Sequence, residues 1–122
     1  MTDDAYQLTS LPETELDRLL GEALYANDFG AKPPTEAEKV RRAQRWFASQ
    51  MGEFRRVICG HPIVDRYLQQ KDSVERELFD AVATALASLT GVPVPISALA
   101  AKIVRFGVSN LCPRQAVTTP GS

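Results

Sequence analysis

From Ala81 to Leu111 the chain reads AVATALASLTGVPVPISALAAKIVRFGVSNL, and only Lys102 and Arg105 within it carry charge. A stretch this apolar has to be taken out of water, by the rest of the chain or by a bilayer. The segment Gly91-Val92-Pro93-Val94-Pro95 decides between the two. Each residue before a proline is pushed out of the α region, so the stretch divides into halves, each shorter than the roughly 20 apolar residues that span a bilayer. Thr84, Ser88, Thr90, Ser97, Lys102 and Arg105 lower its hydrophobicity further. The expectation is a buried C-terminal α-hairpin with no stable membrane insertion.

With 122 residues, 44% of them hydrophobic and 24% charged, the chain suits one globular domain rather than a disordered or integral membrane protein. The N-terminus MTDDAYQLTS has neither a basic n-region nor an apolar h-region. That composition argues against a secretory signal and for a cytoplasmic location. Cys59 and Cys112 allow at most one bridge, and in a cytosol they are expected to stay reduced thiols.

Periodicity and caps divide the chain into about five helices. Residues 1–9 read as a flexible arm and 113–122, which lack periodicity, as a flexible tail, with one helical domain over 10–112 between them. Ser10-Leu11-Pro12-Glu13 fits a capping box ahead of a first helix carrying Leu16, Leu19, Leu20, Ala23 and Leu24 at helical spacing and ending near Asn27. The linker GAKPP turns the chain. Thr35-Glu36-Ala37-Glu38 is a second capping box, opening a long amphipathic helix that runs to about Ile58. Cys59-Gly60-His61-Pro62 breaks it. A short helix follows through Leu68, then one capped by Asp72-Ser73-Val74-Glu75 that stops at Gly91. A last helix from Pro95 to Leu111 is apolar over more than half its circumference. The fold expected is all-α, with the C-terminal hairpin at its centre. A hairpin this apolar also raises the prospect of a homo-oligomer that covers it.

Net charge is −1, but it is unevenly placed. Residues 1–38 hold nine acids against Arg18 and Lys32, giving −7; residues 39–71 hold eight bases against Glu53 and Asp65, giving +6. On the long amphipathic helix Val40, Ala43, Trp46, Phe47, Met51, Phe54, Val57 and Ile58 gather on one side. Arg41, Arg42, Arg45 and Arg56 gather opposite. Guanidinium groups in such a stripe pair bidentately with carboxylates or phosphates, so they are the candidate partner-binding residues. A solvated face, or one neutralised by the acidic first helix, is the plainer reading of the same pattern. A pI of 5.8 is far from that of a dedicated nucleic-acid binder, so a protein partner is favoured and nucleic acid stands second.

Catalytic chemistry finds little footing. The one histidine sits in Cys59-Gly60-His61, where it could activate a thiol or join a metal site only if Cys112 folded back beside this junction, and a fourth ligand would still be missing. No CxxC pair and no glycine-rich phosphate loop occurs. The segment after Gly107, VSNLCP, is too short for the recognition helix of a helix-turn-helix. The sequence therefore leads to an expectation of no catalytic residues, no metal and no cofactor, and of a helical protein-interaction module acting as an adaptor or regulatory component.

Overall fold

A computed structural model describes residues 6–26, 33–70 and 75–112. Residues 113–122, most of the expected arm and the expected Asp72-Ser73-Val74 cap lie outside these residues. Among them the protein is entirely helical: a 3-10 turn, Gln7–Ser10, precedes α1 (Glu13–Tyr25), α2 (Glu36–Ser49), α3 (Met51–Ile58), α4 (Pro62–Gln70), α5 (Glu75–Leu86), α6 (Ile96–Phe106) and α7 (Val108–Leu111). Among the described residues no helix is long and apolar enough to cross a membrane.

The apolar C-terminal stretch is indeed the centre. In α6 Leu99, Ala100, Ala101 and Ile103 are fully buried, enclosed by α5, α1, α7 and the 3-10 turn. Residues 87–95 form the turn between α5 and α6, where Gly91 has φ 72°, a conformation that other residues adopt only at a cost.

Several boundaries differ from those expected. The Ser10–Glu13 capping box does not form: Ser10 Oγ donates instead to Gln7 O at 2.7 Å inside the 3-10 turn, and α1 starts without a side-chain cap. That turn belongs to the fold. Tyr6 packs edge-on against Phe79 at 5.8 Å, and its hydroxyl donates to Glu75 at 3.1 Å. The Thr35 box forms as expected, with Glu38 N–H donating to Thr35 Oγ1 at 3.1 Å and Thr35 N–H to Glu38 Oε1 at 2.8 Å.

The long amphipathic helix is broken at Gln50 (φ −100°, ψ 4°) into α2 and α3. Ser49 Oγ donates back to Trp46 O at 2.7 Å, a contact that loosens helices, and Gly52 just beyond is a weak helix former. The last helix is likewise split, because Gly107 has φ 102°. Sequence periodicity alone runs through both breaks.

Helices α1 and α2 are antiparallel, as the pairs Gly21 with Lys39 and Asp17 with Gln44 show. Their backbones meet at Gly21, where a Cβ would collide with the Lys39 carbonyl and lie 2.8 Å from Lys39 Cα. Gly21→Ala gains up to about 1 kcal/mol of helix propensity but forces two backbones apart, an overpacking penalty of about 1–3 kcal/mol or more. Urea unfolding of Gly21→Ala is expected to show a net loss of about 1–2 kcal/mol, whereas unchanged stability would mean that the pair adjusts freely.

Candidate interaction surface

The acids of α1 are engaged within the fold, and this decides what the arginine face can do. Arg18 NH2 lies 3.0 Å from Glu15, and its Nε 3.6 Å from Glu36. Lys39 Nζ is 3.4 Å from Glu22 and 3.2 Å from Glu36. The hydrogen bond from Arg18, reinforced by its charge, holds the Glu15 carboxyl below the usual carboxylate range. Hydrogen bonding to Glu36 raises the Lys39 ammonium. The acidic first helix therefore neutralises Arg18 and Lys39.

The four stripe arginines have different surroundings. Arg41 and Arg45, one turn apart on α2, are exposed and form no ion pair among the described residues. Arg42 is half-buried, its guanidinium carbon 4.5 Å above the Tyr25 ring, so it ties α2 to α1 as well as facing outward. Arg56 lies past the Gln50 break and pairs with Glu53 at 2.7 Å. The core of the stripe is thus Arg41 and Arg45. Arg55 faces elsewhere: its Nε donates to Leu111 O at 2.9 Å, clamping α7.

A cleft of about 320 Å³ lies between α2, α3 and the turn preceding α6, with Trp46, Phe54, Leu89, Val92 and Pro93 as its apolar lining and Glu53 as its charged one. Trp46 meets Phe54 edge-on at 6.0 Å, and Phe54 in turn lies 5.3 Å from Phe47. The cleft wall is therefore continuous with the core. Sequence periodicity puts Trp46 on the apolar side of its helix, but only the tertiary fold brings Val92 and Pro93 to the same cleft.

At the Cys59–His61 junction the structure corrects the expectation of two reduced thiols. Gly107 turns the chain back so that α7 packs on α3 and α4, and Cys112 reaches Cys59 in a disulfide with a Cα–Cα distance of 5.5 Å. Neither sulfur is a free nucleophile in this state. His61 Nδ1 accepts from the Ile63 N–H at 3.2 Å, a capping role at the start of α4. Among the described residues no group of three His, Cys, Asp or Glu side chains is placed to hold a metal ion.

Sequence reasoning missed the most deeply placed charge. Lys102, read from the sequence as a residue that dilutes an apolar stretch, is 5% exposed. Its Nζ donates to Glu13 Oε2 at 2.7 Å, lies 2.9 Å from Asp17 Oδ1, and stands 4.9 Å from the centre of the Phe47 ring. Asp17 is itself 2% exposed. Its Oδ1 receives no directed hydrogen bond, so its contact with the ammonium is one of charge, while Oδ2 accepts from Gln44 Nε2 at 3.4 Å. The cluster joins α1, α2 and α6. The signal available in sequence was a lone lysine on the apolar side of the last helix, which requires a buried acid elsewhere.

Comparison of the chain with family models, with curated proteins and with solved structures finds no match.

Proposed function

We propose that the chain is a non-catalytic helical protein-interaction module, serving as an adaptor or regulatory component of a larger assembly, and that it binds an acidic partner surface through Arg41 and Arg45, flanked by Arg42 and Arg56. The observation supporting this reading is the allocation of charge. Glu13, Glu15, Asp17, Glu22 and Glu36 are taken up by Arg18, Lys39 and Lys102, which leaves Arg41 and Arg45 exposed with no carboxylate partner among the described residues. Two guanidinium groups one helical turn apart offer planar donor forks to carboxylates across an interface. Charges at an interface rim chiefly steer encounter and set specificity.

Charge reversal tests the proposal. An Arg41→Glu/Arg45→Glu variant is expected to fold normally, both side chains being exposed, and to recover its partners in pull-down with affinity reduced about tenfold or more, equivalent to about 1.4 kcal/mol. Retention of every partner by a folded variant would overturn the assignment. The cytoplasmic location expected from the sequence sits poorly with the disulfide, because such bonds are rare in most cytosols. An oxidising compartment fits Cys59–Cys112 better.

A further inference from the structure

We infer that the Trp46 cleft and the arginines beside it form one composite site, whose ligand is an acidic protein segment bearing a single large apolar side chain; this rests on the reading of Arg41 and Arg45 given above. The cleft, about 320 Å³, is at the lower end of the roughly 300–1,000 Å³ typical of ligand sites. It has room for one large side chain and not for a cofactor. Its apolar lining is Trp46, Phe54, Leu89, Val92 and Pro93, an environment for an aromatic or long aliphatic anchor.

The ridge and the cleft share a helix. Arg45 immediately precedes Trp46, and Arg42 stands one turn before it on the same side. At 1.5 Å and about 100° per residue, Arg45 lies one step of rise and about a quarter-turn from Trp46, whereas Arg41 is about 7.5 Å along the axis and about 140° round it. An extended chain advances about 3.3–3.6 Å per residue, so a carboxylate two or three positions from the anchor reaches Arg45 while the anchor fills the cleft. Tryptophan and arginine are also the side chains that dominate binding energy at interfaces.

Two further features favour this ligand. The acid at the cleft edge, Glu53, is held by Arg56 at 2.7 Å, so its charge does not oppose an acidic chain. The walls are prearranged: Phe54 is 1% exposed, and in the turn that forms the opposite wall Pro93 and Pro95 have their φ fixed by the ring. Prearranged walls reduce the ordering cost of binding.

Trp46 is the sole tryptophan, so its emission reports on the cleft directly. The intact protein is titrated at low salt with a peptide of eight glutamates, with the same peptide carrying one phenylalanine inserted at its centre, and with oligothymidylate of equal charge. The phenylalanine peptide is expected to bind about tenfold more tightly than the all-glutamate peptide, to shift Trp46 emission and to shield it from acrylamide. A Val92→Phe variant, which fills the cleft, should lose that advantage yet keep the weaker binding of the all-glutamate peptide. Equal binding of the two peptides with no change at Trp46 overturns this inference and leaves the arginine reading intact. If neither peptide binds, both readings fall. Tighter binding of oligothymidylate than of the phenylalanine peptide overturns the inference in favour of bases stacking on Trp46. The peptide pair decides the matter on the unmodified protein, even if Val92→Phe proves unfolded by circular dichroism.

Discussion

Reduction of the Cys59–Cys112 bond is expected to lower the free energy of unfolding by about 4 kcal/mol, the loop-closure value for a sequence separation of 53. Domains of this size are stable by only about 5–15 kcal/mol, so the loss is a large share of the total. The native contacts of α7 do not depend wholly on the bond. Val108 and Leu111 are buried, and Arg55 holds the Leu111 carbonyl at 2.9 Å. The reduced protein should therefore fold, but with a much lower urea midpoint. A Cys59→Ser/Cys112→Ser variant should match it and be insensitive to reductant. A change below about 1 kcal/mol would mean that the unfolded chain is already restrained without the bond, since the model places the gain in the unfolded state.

Removing the buried ammonium has an effect of similar size by a different route. Lys102→Met is expected to cost about 3–5 kcal/mol, because it leaves a charged group buried without its counter-ion. The group left behind is Asp17, 2% exposed, whose remaining contact is Gln44 at 3.4 Å. Glu13 suffers less, its side chain being 44% exposed and able to turn to water. Asp17→Leu alone should be milder, since Lys102 keeps Glu13 at 2.7 Å. Combining the two should recover most of the loss, as replacement of a whole buried pair by apolar groups is often neutral or stabilising. Denaturant titration of both single variants and the double variant forms a cycle that isolates the coupling. Additive losses would show that the two charges do not depend on each other.

How far these features could be read in advance depended on their range along the chain. The all-α class, the Thr35 cap, the apolar C-terminal hairpin and the arginines of α2 are local patterns, carried by spacing within a few turns. Breaks at Gln50 and Gly107 are local as well, yet a periodic apolar pattern continues across them and conceals them. Glu13 looked like half of a capping box; the competing partner, Lys102, lies 89 positions away. Cys112 reaches Cys59 only through the turn at Gly107. The cleft needs Trp46 and Val92 to be brought together by the packing of α3 on α5. Long-range pairings of this kind follow from the tertiary packing and leave no periodic trace.

The disulfide also divides the molecule topologically. Residues 59–112 form a closed covalent ring containing α4, α5, α6 and α7, while α1, α2 and α3 hang from it as an open branch. Arg41, Arg45 and Trp46 belong to the branch, whereas Leu89, Val92 and Pro93 belong to the ring. The cleft is therefore a seam between the two, and any agent that cuts the ring acts on one wall of the seam while the guanidinium groups stay fixed to the other.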